Sequence, residues 1–198
     1  MKLSIITPCT RPLNLTTIYA SILQMKEVDV EWIIVYDMDD IDKRILLYEK
    51  EVPIKLYKQR RGIGKGSMQR NLGLDVCTGD WIYFLDDDNL VHPMLYNRIK
   101  SYGEDDKILL FNQFGTNISR RITNFESHRL FIVGYVDTGQ IVVPKKYKHI
   151  KWLNNRKFVE EYDYLMSLIQ EAGEENVKWV DRLFTYRNYL RRYDLKAK

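Results

Sequence analysis

At 198 residues, with 45% hydrophobic and 29% charged side chains, the chain has the composition of one globular domain with a full core, which excludes disorder over most of its length. A net charge of +4, with no long basic block except near the C-terminus, excludes the electrostatic footprint of a nucleic-acid binder. No apolar run approaches the roughly 20 residues of a membrane span, and KLSIIT follows Met1 without the h-region or cleavage site of a signal peptide, so the cytosol is the expected compartment.

In chain order, KLSIIT, EWIIVY, PIKLYK, WIYFL and KILLF are short runs rich in Ile, Val, Tyr and Phe, and each reads as a strand. Between them lie helical spacings: about Leu13 to Lys26 after the TRP turn, about Ile41 to Lys50, Ser67 to Cys77 ended by TGD, and a helix from Pro93 to about Tyr102. Alternating strands and helices predict an α/β fold, a mostly parallel sheet covered on both faces. The second half, from Gln113 onwards, is less regular, and no repeat or Pro/Gly-rich linker divides the chain. One domain over residues 1–198 is the expectation, with 1–112 and 113–198 as its two halves. Cys9 and Cys77 form neither a disulfide framework nor a zinc spacing, and both read as small core-lining residues.

The stretch WIYFLDDDN poses the functional question. WIYFL has no polar alternation, so it is a central strand buried on both faces, and Asp86, Asp87 and Asp88 emerge at its carboxyl end. Ligands of open α/β sheets sit at that edge, near a switch in strand order. Adjacent carboxylates in a low-dielectric crevice raise one another's pKa unless a cation offsets them. A hard divalent ion, Mn2+ or Mg2+, bridging them to a phosphate answers that repulsion. The alternative is a solvated acidic turn. RRGIGKGSMQRN is not a Walker A loop, because Gly66 follows Lys65 and position 59 is not glycine; Ser67 likewise breaks the dinucleotide fingerprint. What remains is a basic loop with Arg60, Arg61 and Lys65 feeding a helix.

Together, LSIITPCTRP, WIIVYDMDD, GSMQRNLGLDVCTGDWIYFLDDDN, DTGQIVV and FVEEYDYLMSLIQEAG, in that order, resemble nucleotide-sugar glycosyltransferases of the GT-A fold, most broadly glycosyltransferase family 2. ITPCTRP, GSMQRNLGL and YFLDDDN are also similar to the β-1,3-glucuronosyltransferases. The resemblance implies a metal-dependent, inverting transfer from a nucleoside-diphosphate sugar, with uridine expected, to a hydroxyl of a glycan or lipid-linked acceptor. It places Pro8 and Thr10 beside the nucleoside, with Arg11 close by; Thr10 or Asn14 as a helix cap is the competing reading. An acid after strand two takes the uracil N3 hydrogen, and YDMDD offers Asp37, with Asp39 as the alternative. Arg70 pairs with the nucleotide or with an aspartate, and Asn71 ties the loop down. Asp86 binds ribose or base, Asp87 lies beside ribose and metal, and Asp88 is the direct metal ligand. Asp137 and Gly139, in DTGQIVV, fall beside the donor sugar or acceptor, unless this is a plain turn.

The general base is expected from the acidic helix. Projection at ~100° per residue gathers Phe158, Tyr162, Leu165, Met166, Leu168 and Ile169 on one face. Glu161 falls at the edge of that arc and Glu160 nearly opposite, so Glu161 is the choice and Glu160 the alternative. Arg182 or Arg187 is available to offset charge on the diphosphate. His92, His128 and His149 are scattered and read as surface or packing residues. The basic, aromatic tail YRNYLRRYDLKAK is either solvated or a peripheral contact for an anionic membrane surface.

Overall fold

The computed structural model describes residues 1–25, 28–37, 41–60, 62, 66–102, 106–115, 121–122, 136–154 and 159–193. Strands are β1 (Leu3–Cys9), β2 (Val30–Tyr36), β3 (Ile54–Lys58), β4 (Trp81–Phe84), β5 (Leu90–Val91), β6 (Ile108–Gly115), β7 (Arg121–Ile122), β8 (Ile141–Pro144) and β9 (Val177–Arg187). Helices are α1 (Leu15–Leu23), α2 (Ser67–Val76), α3 (Leu95–Ser101) and α4 (Glu160–Ala172). The segment expected as a helix over 41–50 is a 3-10 turn, Lys43–Tyr48. Pro93 stands in the turn that leads into α3.

The five strands expected from apolar runs all form, and the sheet order is β3-β2-β1-β4-β8-β6-β9-β5, with β7 on β6. β1, β2, β3 and β4 are mutually parallel. β8, a strand from later in the chain, lies antiparallel between β4 and β6. β6 spans the boundary between the two expected halves, and both halves therefore share one sheet. β9 was not foreseen from the sequence. It runs parallel to β6 with register shifts around Asn112, and those bulges erase the alternation that would have announced it.

Both faces of the sheet are covered, which is why the strands lack polar alternation. On one face Ile5, Trp32, Ile34, Trp81 and Tyr83 meet Leu15, Ile18 and Ile22 of α1 and Leu95 and Ile99 of α3. On the other, Ile6, Ile33, Val35, Ile82 and Phe84 meet Leu74 of α2 and Tyr164, Leu165 and Leu168 of α4. Each such buried aliphatic or aromatic side chain contributes about 1.5–3 kcal/mol. α2 packs so closely on β1 that a Cβ on Gly73 would fall 2.4 Å from Ile6 Cγ2, so only glycine fits there. No helix among the described residues is long and apolar enough to cross a membrane.

At the amino-end edge of the sheet, the wholly buried Glu31 accepts hydrogen bonds from Ser4 Oγ (2.6 Å), Thr78 N (2.6 Å) and Lys55 Nζ (2.7 Å), with Lys2 Nζ at 3.2 Å. Burial alone would raise its pKa, but the bonds from Lys55, Ser4 and Thr78 outweigh it and hold the carboxyl well below the usual range. A depressed carboxylate stabilises the fold above its unfolded pKa and loses that contribution as pH falls through and below the ordinary glutamate range. Glu31→Gln should therefore cost about 3 kcal/mol at neutral pH, since it leaves two lysines unpaired. Denaturant titrations at pH 7 and pH 3 should show the gap between variant and parent narrowing at the lower pH. A gap that does not change with pH would refute the assignment.

Candidate active site

β2 and β3 extend the sheet to one side of β1, and β4 extends it to the other, so the chain changes direction between β1 and β4. The backbones diverge there, and the crevice outside the carboxyl ends is where such sheets bind ligands. Thr10 and Arg11 follow β1, Asp37 follows β2, and Asp86 to Asn89 follow β4. Together they line a cleft of about 260 Å³, near the lower end of the roughly 300–1,000 Å³ typical of small-molecule sites. The far wall comes from Gly66, Gln69 and Arg70 at the start of α2, Asp137, Glu161 on α4, and Arg187, Asn188 and Arg191 at the end of β9 and beyond.

The three aspartates have three different environments. Asp87 is 4% exposed, and its Oδ2 accepts from Thr10 N (2.5 Å), Thr10 Oγ1 (2.9 Å) and Arg11 N (2.7 Å). Its Oδ1 takes Arg11 NH1 at 2.8 Å, and Asn14 Nδ2 donates to its carbonyl at 2.8 Å. The residues expected to cap the first helix instead donate to Asp87, and neither Thr10 nor Asn14 makes a side-chain cap bond. Asp87 is consequently a clip between the β1 and β4 loops. Asp86 is partly exposed and pairs with Arg70 NH2 at 2.7 Å. Asp88, 3% exposed, receives Arg191 Nε at 2.5 Å on Oδ2, with Arg11 NH1 at 3.6 Å. Burial and the charge of Asp86 push the Asp88 carboxyl up, against the pull of Arg191.

Arg70 is held by its surroundings. Its guanidinium lies 4.6 Å over the Trp152 ring, Trp152 stacks on Tyr164 (4.2 Å, 11°), and Phe84 meets both rings edge-on. Asn71 fixes this wall by donating to Trp152 O (2.9 Å) and accepting from Trp152 N (2.8 Å), so it ties down the 152 segment and not the basic loop. Gly66, left-handed at φ 90°, starts α2 against Pro8.

On the same wall, Glu161 lines the cleft, and burial raises its pKa, with Arg70 opposing and Asp137 and Asp86 adding to the rise. Glu160 is also buried, at 4% exposure, but does not line the cleft. Asp137 is the N-cap of a 3-10 turn, Thr138–Gln140, and pairs with Arg187 Nε at 2.6 Å. Its carboxyl is raised by burial and lowered by Arg187. Gly139 faces β9: its carbonyl accepts from Thr185 Oγ1 at 2.6 Å, and a Cβ would lie 2.8 Å from Thr185 Cγ2. The glycine is needed for that approach to the strand.

Of the two arginines expected to face a diphosphate, Arg187 lines the cleft, while Arg182 is exposed and outside it. Arg191 was missed because it sits in what read as a solvated tail. In fact Leu190 is buried and its N–H donates to Asp88 O at 3.0 Å, and Asn188 N donates to Asn89 Oδ1 at 2.7 Å, so this stretch docks on the site. Only a buried leucine among charges could have signalled it. His92 packs against Phe184 and Tyr186, as a packing residue should. Cys9 and Cys77 are free and buried. Asp39, Arg61, Lys65, His128, Phe158 and residues 194–198 lie outside the described residues.

Among the described residues, no three His, Cys, Asp or Glu side chains converge as a metal cage. The donor set fits a hard divalent ion in a different way, with Asp88 and Asp86 as one or two carboxylate ligands and phosphate oxygens completing the shell. Among the described residues, six carboxyls line the cleft (Asp37, Asp86, Asp87, Asp88, Asp137, Glu161) against four guanidiniums (Arg11, Arg70, Arg187, Arg191).

Comparison with known proteins agrees with this architecture. The crystal structure of Staphylococcus aureus TarS 1–349 superposes with a TM-score of 0.75 at 17% identity, over 94% of this chain and 60% of that one. The complex of the same protein with UDP-GlcNAc gives 0.76 at 16% identity, over 94% and 58%. The curled, mostly parallel sheet flanked by helices is the GT-A fold. In sequence, an uncharacterized glycosyltransferase of Haemophilus influenzae is 25% identical over 188 residues, 86% of this chain and 63% of the relative. The S. aureus poly(ribitol-phosphate) beta-N-acetylglucosaminyltransferase TarP is 30% identical over 94 residues, 46% of this chain and 29% of the relative. The chain thus spans less than two thirds of the length of these proteins. The family model for glycosyl transferase family 2 matches residues 4–171, and the chain belongs to that family.

Proposed function

We propose that the chain carries the catalytic centre of a metal-dependent, inverting glycosyltransferase that moves a sugar from a UDP-sugar to a hydroxyl of a glycan or lipid-linked acceptor. The observation that carries this reading is the convergence of Glu161, on α4, with Asp86 and Asp88, after β4, on one cleft at the switch point of the sheet. TarP's name and the TarS complex with UDP-GlcNAc make UDP-N-acetylglucosamine the first donor to try.

Each residue has a chemical task in that reaction. Asp37, beside Pro8 and Thr10, receives the base N–H. Arg11, anchored to Asp87, and Arg70, anchored to Asp86 and Trp152, hold the donor end of the cleft. Glu161 takes the proton from the acceptor hydroxyl as that oxygen attacks the anomeric carbon opposite the diphosphate, so one displacement inverts the configuration. Its burial suits it to that task, because a carboxyl with a raised pKa is a stronger base. When bound, Mn2+ or Mg2+ at Asp88 and Asp86 offsets charge developing on the leaving diphosphate.

Nucleotide release from a panel of UDP-sugars with manganese tests the reading. Glu161→Gln should lower kcat by about 100-fold or more while leaving donor KM within a few-fold. The acid limb of kcat/KM should fall above the ordinary glutamate range in the parent and vanish in the variant. Retained turnover in Glu161→Gln would exclude it as the base.

The aspartates should separate by assay. Asp88→Ala should abolish metal-stimulated turnover and leave the melting transition in place. Asp87→Ala should instead destabilise the fold by about 3 kcal/mol, because it strips partners from two backbone N–H groups and Arg11. Denaturant unfolding beside activity distinguishes the two, and equal stability loss in both variants would contradict the division of roles.

A further inference from the structure

We propose that Arg191 is an exchangeable counterion. It holds Asp88 while the donor is absent, and moves to the donor's diphosphate when a divalent cation takes that carboxylate. The inference rests on the transferase reading above and adds a residue and an order of charge exchange to it.

Arg191 is held differently from Arg70 and Arg11, and Arg187, which pairs with Asp137 through its own Nε, is its nearer parallel. Arg70 is 4% exposed and stacked on Trp152, and Arg11 is fastened to Asp87. Arg191 is the most exposed of the four, with 53% of its side chain open to solvent. Its contact with Asp88 uses Nε alone, and among the described residues the side chain has no second partner. Its two terminal nitrogens, the edge of the fork that matches a phosphate, are therefore uncommitted in a cleft they help to line. The pair joins a buried carboxylate to a half-exposed guanidinium, so solvent can reach the arginine's side of it.

The backbone beneath Arg191, by contrast, is fixed. Leu190 is buried and its N–H bonds to the carbonyl of Asp88 itself, and Asn188 N bonds to Asn89. The guanidinium can thus leave Asp88 by rotation of its own side chain, with no opening of the turn, and remain within the cleft. A cation that takes Asp88 satisfies the carboxylate that Arg191 gives up, and the diphosphate that accompanies the cation supplies the anion to which Arg191 goes. Among the described residues, the excess of carboxyls over guanidiniums in the cleft favours the entry of the cation.

Removing Arg191 should therefore move two affinities in opposite directions. Titrated with Mn2+ alone, with free Mn2+ read by its electron paramagnetic resonance signal, Arg191→Gln should bind the ion about threefold more tightly or better, because a competitor for Asp88 is gone. By calorimetry at saturating Mn2+, the same variant should bind UDP about tenfold more weakly, because a charged hydrogen bond to phosphate is lost. Arg191→Lys, which keeps the charge without the fork, should fall between parent and Gln variant in both measurements. Arg182→Gln, on β9 but outside the cleft, should change neither. Unchanged or weaker Mn2+ binding by Arg191→Gln, or unchanged UDP binding, overturns the exchange. Equal effects from Arg182→Gln also overturn it, since bulk charge would then explain the shifts. Failure of the unmodified protein to bind UDP at any Mn2+ concentration overturns the transferase reading itself.

Discussion

Everything at the cleft depends on the carboxylate of Asp87 joining two loops that the sheet alone would leave apart. β1 and β4 are parallel neighbours, and their hydrogen bonding ends where the chain directions diverge. Beyond that point the backbone N–H groups of Thr10 and Arg11 would be unpaired. One buried acid accepts from both, from the Thr10 hydroxyl and from the Arg11 guanidinium. The clip sets the position of Arg11, and through the short chain on either side it sets Asp86 and Asp88. A neutral side chain at 87 could accept some of these bonds but could not offset the charge of Arg11.

The crowding of negative charge after Leu85 is thus relieved first by the protein. Asp86, Asp87, Asp88 and Asp137 each face an arginine, drawn respectively from α2, the β1 loop, the turn after β9, and β9 itself. Arginine suits these positions because it stays charged when partly buried and offers several donors in a plane, so one edge can hold a carboxylate while another is presented to a ligand. Residues distant in sequence converge here because the arginines reach the switch point from elements on both sides of it. The resulting balance is incomplete, and the remaining negative charge is what an entering cation would meet.

The first half of the fold was legible because each strand there is buried on both faces and reads as an unbroken apolar run ended by a turn. KLSIIT, EWIIVY, PIKLYK and WIYFL needed no information beyond their own composition. The second half failed at β9, whose partly exposed pattern is broken by bulges opposite Asn112, and at β8, whose antiparallel insertion between β4 and β6 is a long-range fact no local pattern encodes. The 3-10 turn at Lys43–Tyr48 was read as a helix because six residues with apolar spacing satisfy either geometry.

At the site, residue position was legible where one element determined it and illegible where two elements had to meet. Glu161 lines the cleft, but the face of α4 that packs on the sheet runs through Glu160, Tyr164, Leu165 and Leu168 and not through the arc read from the sequence. Glu160 was expected on the far side of the helix, yet it is buried in line with Tyr164 and Leu168, four and eight residues on. Gly139 shows the same limit: a glycine before a strand suggests close approach, but its partner, Thr185, is 46 residues away in sequence. Arg191 is the sharpest case, since its role follows from Leu190 being anchored beneath Asp88, a contact spanning a hundred residues that no spacing within YRNYLRRYD reveals. The chemistry of this cleft is therefore readable residue by residue only for the groups that strands deliver directly, and the groups that balance their charge become visible only in three dimensions.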